Sequence, residues 1–216
     1  MKALKWMLDL LYPKRCPFCR RLMEEKDTVC RLCINKLPLV PLPGQKQSFP
    51  FVDACYSALY YEDAVRKSLH RYKFAGAAAY AAVYGEFILK SIDENQISCD
   101  IITWVPLSRG RLRRRGYDQA ELLARCISGK KSFPVDRLLK KVRNNPAQSG
   151  TGDGDKRRAN VRDVYEITSA DKIKDKHIIL VDDIVTSGAT VSECARMLKK
   201  AGAGCVTVLT VARKRP

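Results

Sequence analysis

The chain has 216 residues, enough for one well-packed domain with a small appendage. Its 46% hydrophobic and 29% charged residues are those of a soluble globular protein. No apolar run reaches the ~18 residues that span a bilayer, so no membrane insertion is expected. The formal net charge of +17 suits polyanionic partners such as nucleic acid, polyphosphate ligands or acidic proteins, and equally suits a merely solvated surface.

Residues 1–12 read as a short amphipathic helix rather than a signal peptide. Asp9 interrupts the apolar run, and a cysteine motif follows at once. Cys16-Pro-Phe-Cys19 and Cys30-Arg-Leu-Cys33 form a C-x2-C-x10-C-x2-C array. Two such knuckles bring four thiolates to tetrahedral geometry, which suits Zn²⁺, and so short a segment needs the metal to fold. The alternatives are two disulfides or a redox C-x-x-C. Five further cysteines are scattered through apolar stretches, and the total of nine is odd. With no secretory signal this favours structural zinc in a reducing cytoplasm. Only His70 and His177 are present, so no catalytic zinc ligand set is visible, and His177 reads as a packing residue.

Leu37 to Ser48 carries three prolines and a glycine and reads as a linker. This divides the chain into residues 1–48 and an α/β domain, 49–216. From Phe49 on, strands alternate with helices. Strands are expected at Ala54–Tyr61, Asp100–Val105, Val135–Val142, Val164–Ile167, His177–Val181 and Cys205–Val211. Helices are expected at Gly76–Ile92, Tyr117–Ile127 and Ala189–Ala201. In the last, Val191, Cys194, Ala195 and Leu198 share one face, and Gly202 suits its C-terminal cap. Strand, helix and strand at this spacing predict a largely parallel sheet flanked by helices. Gly150 to Asp155 reads as a flexible loop.

The strand at His177 runs into two carboxylates, Asp182 and Asp183, and then Thr186-Ser-Gly-Ala-Thr190 opens a helix. In an open parallel sheet, ligands bind beyond the carboxyl ends of the strands. Gly188 lets backbone N–H groups converge. With the hydroxyls of Thr186, Ser187 and Thr190 and the helix dipole, they and Ala189 make an anion site. The carboxylates accept hydrogen bonds from neutral hydroxyls. A phosphate at one end and a vicinal diol at the other satisfy both halves, which describes ribose 5-phosphate. The plainer reading is a strand-loop-helix with an ordinary N-cap. A second basic segment, Val105 to Gln119, also follows a strand and carries five arginines between Arg109 and Arg115. It suits pyrophosphate, a nucleic-acid backbone or a solvated turn.

Ile178-Ile-Leu-Val-Asp-Asp-Ile-Val-Thr-Ser-Gly-Ala-Thr190 resembles the phosphoribosyl-pyrophosphate motif of type I phosphoribosyltransferases. Together with the four-cysteine module, Val-Pro-Leu-Ser…Arg-Gly-Tyr-Asp-Gln119, Arg157-Arg-Ala-Asn-Val161 and Tyr72-Lys-Phe-Ala-Gly76, it resembles the ComF family of phosphoribosyltransferase-like proteins linked to bacterial natural transformation. Asp118 stands where that family usually has Asn, and residues 149–155 are Gly-rich where it has a Leu-Ser pattern. The resemblance implies a type I phosphoribosyltransferase-like sheet and a cytoplasmic factor handling single-stranded DNA beside a helicase partner. It also implies phosphoribosyl pyrophosphate or a similar ribose phosphate as ligand, with Mg²⁺. Asp182 and Asp183 would be the catalytic, ribose-binding carboxylates, and Thr186, Ser187, Gly188, Ala189 and Thr190 would hold the 5-phosphate. Ser108 and Arg109 would hold pyrophosphate. Arg113, Arg114, Arg115, Arg157 and Arg158, with Lys140, Lys141 and Arg213 to Arg215, would contact the nucleic acid. Two other functions fit: an active phosphoribosyltransferase with an unknown acceptor base, and a zinc-module adaptor that docks a partner protein.

Overall fold

A computed structural model describes residues 13–24, 26–41, 46–143 and 163–215. The expected helix over residues 1–12, the Gly-rich loop, Arg157 and Arg158 lie outside the described residues. The elements, in chain order, are α1 (Arg31–Ile34), β1 (Gln47–Phe49), β2 (Val52–Tyr60), α2 (Asp63–Phe74), α3 (Tyr80–Glu94), β3 (Ile101–Trp104), α4 (Arg109–Arg115), α5 (Gln119–Lys131), β4 (Leu139–Lys141), β5 (Tyr165–Ile167), β6 (His177–Val185), α6 (Ala189–Lys200) and β7 (Cys205–Arg213).

Five strands form one sheet in the order β1-β2-β7-β6-β3. β2, β7, β6 and β3 are mutually parallel, and β1 joins the β2 edge antiparallel. β4 and β5 form a separate antiparallel ribbon. The parallel strands are apolar on both faces because both are covered. Along β6, Ile179 and Val181 face one core with the α3 and α5 residues Tyr84, Ile88, Leu123 and Ile127. Ile178 and Leu180 face a second core with Val191, Cys194 and Leu198 of α6. The alternation is the period-two pleat of a strand.

Four findings differ from the sequence reading. β6 does not stop at Val181 but runs to Val185, opposite Arg213, so the two carboxylates sit within the strand. The basic turn after β3 holds a helix, α4, which buries none of its residues. α2 was not expected, because its buried face of Val65, Ser68, Leu69 and Tyr72 is half polar and hides the period. The proline-rich segment is held to the sheet: the Val40 N–H donates to the Ala58 carbonyl at 3.0 Å, and the Tyr60 N–H to the Pro38 carbonyl at 2.7 Å.

Candidate functional site

The N-terminal segment builds a metal site. The Cys16 N–H donates to the Arg21 carbonyl, and Arg20 turns back with a φ of 69°. The Cys33 and Ile34 N–H groups donate to the Cys30 carbonyl, closing the second knuckle. The sulfurs of Cys16, Cys19, Cys30 and Cys33 all lie within 4.8 Å of one another. Tetrahedral Zn–S bonds of about 2.3 Å require sulfurs about 3.8 Å apart. The Cys19 and Cys30 sulfurs are 3.6 Å apart, so the donor set fits structural Zn²⁺. The ribbon docks through Phe18, edge-on to Tyr84 and Phe87, and through its Pro17 carbonyl, which accepts from Ser68 Oγ at 2.6 Å.

At the other end, the carboxyl termini of β3 and β6 open into a pocket of about 210 Å³. Its wall combines Lys73 from α2, Arg111 and Arg115 from α4, Asp118 and Gln119 at the start of α5, Lys141 and Tyr165 from the β4–β5 ribbon, and Asp182, Asp183 and Thr190. Lys73 Nζ stands 2.9 Å from Asp183 Oδ1. Burial first, then the neighbouring Asp183 charge, pushes the Asp182 carboxyl up to about 8. Two adjacent carboxylates in one low-dielectric site resist double ionisation, and the single Lys73 ammonium balances one of them.

The remaining cations are in surplus. Burial, with Arg111 and Arg114 nearby, depresses the Arg115 pKa, although Asp183 opposes the shift. Burial and then Arg111 depress that of Lys141. Both shifts come first from burial, with the neighbouring cations adding to it. Gln119 Nε2 and Arg115 Nε are buried donors with no hydrogen-bond partner among the described residues. A buried donor left unpaired costs roughly 1–3 kcal/mol, so both side chains carry a local energetic cost in this arrangement.

The pocket is held in shape by Asp118. Its Oδ2 accepts the Leu107 N–H at 2.8 Å, and its Oδ1 accepts the Ala120 N–H at 3.1 Å, capping α5. One carboxylate thus ties the turn after β3 to the next helix, a task that an amide oxygen could share only in part. Gly188 caps α6 at a φ of 72°, and a Cβ there would lie 2.0 Å from Phe49 Cδ1. Only glycine lets β1 press this closely against the β6–α6 turn. No side chain caps α6, so its first N–H groups remain available to an anion.

Asp182, Asp183 and Thr190 meet in the pocket, and Ser187, Gly188 and Ala189 follow in the same turn with the exposed Thr186. Ser108 and Arg109 instead line an adjoining cleft. Arg113 and Arg114 are exposed on α4, whereas Arg115 lines the pocket, beside Phe74, with its guanidinium 4.7 Å from the ring centre. Sequence reasoning missed Arg111, Lys141 and Tyr165 as pocket residues, and gave Lys73 no role. The clue to Lys73 was its place in the Tyr72-to-Gly76 segment. Nothing local points to Lys141 or Tyr165.

Residues 112–216 match the phosphoribosyl transferase domain family and residues 7–45 the double zinc ribbon domain family. The chain is 29% identical over 222 residues to the competence protein ComFC of Bacillus subtilis, covering 89% of this chain and 87% of that protein. It is 33% identical over 111 residues to competence protein F of Haemophilus influenzae, about half of each, 50% and 48%. It is 26% identical over 206 residues to the DNA utilization protein YhgH of Salmonella typhi, covering 92% and 89%.

Proposed function

We propose that this chain, a homologue of the ComFC, competence F and YhgH proteins with a phosphoribosyltransferase domain and a double zinc ribbon, binds phosphoribosyl pyrophosphate and serves DNA uptake by handling single-stranded DNA. The observation that carries the ligand is the convergence of Lys73, Arg111, Arg115 and Lys141 around Asp182 and Asp183 at the end of β6. In this reading the β6–α6 turn takes the 5-phosphate through Thr186 to Thr190. Asp182, protonated below about pH 8, and Asp183 take the ribose hydroxyls. Arg111, Arg115 and Lys141 take the pyrophosphate, with Ser108 and Arg109 at its outer edge. Mg²⁺ fits as an ion carried in by the ligand. Asp183 would be the carboxylate to hold it, and the ion would neutralise phosphate oxygens of the ligand.

DNA handling rests on different support: the +17 charge, the exposed Arg113 and Arg114, and the names competence protein and DNA utilization protein carried by the relatives. Four cysteines gathered as zinc ligands and five others outside any disulfide suit a reducing cytoplasm. No helix among the described residues is long and apolar enough to cross a membrane. The helicase partner is an expectation from the family resemblance. The second reading, an active phosphoribosyltransferase, draws on the same pocket. Pyrophosphate release on adding a nucleobase would favour it.

Calorimetry tests the ligand assignment. Asp183→Asn is expected to weaken phosphoribosyl-pyrophosphate binding by about 1–3 kcal/mol, through lost hydrogen bonds to the ligand and an unpaired Lys73. Unchanged affinity rejects it.

A further inference from the structure

Beside the pocket, and sharing Leu107 and Lys141 with it, lies a wider cleft of about 680 Å³ between α4 and the β4–β5 ribbon. Arg109, Arg137, Lys140, Lys141 and Arg143 line it, and no carboxylate does among the described residues. Elsewhere on the surface several cations meet acids. Lys199 pairs with Asp53, Lys172 with Asp136, Arg125 with Glu121 and Arg215 with Glu62. In the cleft only Lys140 does so, reaching Glu166 at 2.9 Å. Arg109, Arg137 and Arg143 are exposed and have no ion pair among the described residues.

Three arginines left unneutralised on one concave face concentrate positive potential there. Guanidinium groups bind phosphate oxygens bidentately, which favours phosphate over smaller anions. Between the cations stand Leu112, 36% exposed, and Val142, 42% exposed. Apolar side chains alternating with cations match a ligand that alternates flat apolar faces with phosphates. A single nucleic-acid strand has that pattern, whereas a duplex hides the faces of its bases.

We propose that this cleft is a track for the backbone of single-stranded DNA, leading from the mouth of the ribose-phosphate pocket across the β4–β5 ribbon. The proposal rests on the DNA-handling reading above. It moves the principal contacts from Arg113 and Arg114 to Arg137 and Arg143.

The test uses the zinc-loaded full chain and a fluorescent single-stranded oligodeoxynucleotide, with anisotropy read over a series of salt concentrations. Three proteins are compared: wild type, the Arg137→Gln/Arg143→Gln double variant and an Arg113→Gln/Arg114→Gln double variant. Each is also titrated with phosphoribosyl pyrophosphate. The cleft variant is expected to lose about tenfold in DNA affinity. The slope of log affinity against log salt should flatten by about 1.4, the counterions released by two phosphate contacts. Its phosphoribosyl-pyrophosphate affinity should stay within twofold, and the α4 variant should lose less DNA affinity. If wild type binds DNA and the cleft variant binds it equally well, the track is overturned while DNA handling survives. A parallel fall in phosphoribosyl-pyrophosphate affinity also overturns it, because the cleft would then be an extension of the pyrophosphate site. Wild type that ignores DNA even at low salt removes the DNA-handling reading itself.

Discussion

The zinc ribbon and the pocket at the end of β6 are incomplete in different senses. The ribbon around Cys16 to Cys33 gathers four cysteine sulfurs within 4.8 Å of one another. The pocket at the end of β6 gathers Lys73, Arg111, Arg115 and Lys141 around Asp118, Asp182 and Asp183, with the Asp182 carboxyl pushed up to about 8 by burial and by Asp183. The thiols call for a metal, and the pocket, with four cations and an Asp182 that is neutral near pH 7, calls for an anion. The ribbon answers with a resident metal and becomes architecture. The pocket rests on a folded sheet and can exchange its anion. A charge imbalance is structural where the fold depends on correcting it and functional where the fold stands without the correction.

The largest effect that would break this contrast is metal removal. Structural zinc contributes about 10–16 kcal/mol of apparent binding energy to small modules. Chelation is expected to make all four thiols reactive. It should also lower the melting temperature of the whole chain, because Cys16, Phe18 and Leu37 share the core that contains Leu59, Tyr84 and Ile88. Phosphoribosyl-pyrophosphate affinity should change little, as no ribbon residue among the described residues lines the pocket. A thiol-reactivity assay beside calorimetry checks both halves. Loss of ligand binding on chelation would remove the distinction between the two sites.

A smaller effect sharpens the pocket side. Asp182 is raised from 3.8 to about 8 by burial and by Asp183, so it is neutral at pH 7 and ionises as the pH passes about 8. Affinity for an anionic ligand is then expected to fall several-fold from pH 7 to 9, and Asp182→Asn should flatten that decline. The raised carboxyl also makes folding linked to pH. The folded chain holds this proton more tightly than the unfolded one. Its contribution to stability is therefore full below about pH 4 and declines up to about pH 8. Calorimetry over that pH range decides the affinity half, and a decline that persists in the Asn variant would assign it to another group.

These contrasts show where the sequence was legible. The four cysteines, β6, α6 and β7 were readable because each obeys a short-range rule: ligand spacing, an unbroken apolar run, or a buried stripe at helical period. The anion turn was readable because its residues are contiguous. α4 was not, since none of its residues is fully buried and so it prints no apolar period. The extension of β6 through Asp182 to Val185 was hidden because carboxylates do not look like strand residues, yet pairing with β7 continues past them. Lys73, Lys141 and Tyr165 reach the pocket from elements far apart in the chain, and only tertiary packing brings them beside Asp183. The sequence therefore located one wall of the pocket, and the opposing cationic wall required the fold.

The central claim is that the β6–α6 end binds phosphoribosyl pyrophosphate as one ligand. The most direct measurement is thermal unfolding of the zinc-loaded wild type with phosphoribosyl pyrophosphate, with ribose 5-phosphate alone and with pyrophosphate alone. At about 100 times its dissociation constant, a ligand specific to the folded state adds about 2.7 kcal/mol of stability. The account predicts that phosphoribosyl pyrophosphate raises the melting temperature at lower concentration than either fragment. A melting temperature that phosphoribosyl pyrophosphate leaves unmoved at millimolar concentration would contradict it.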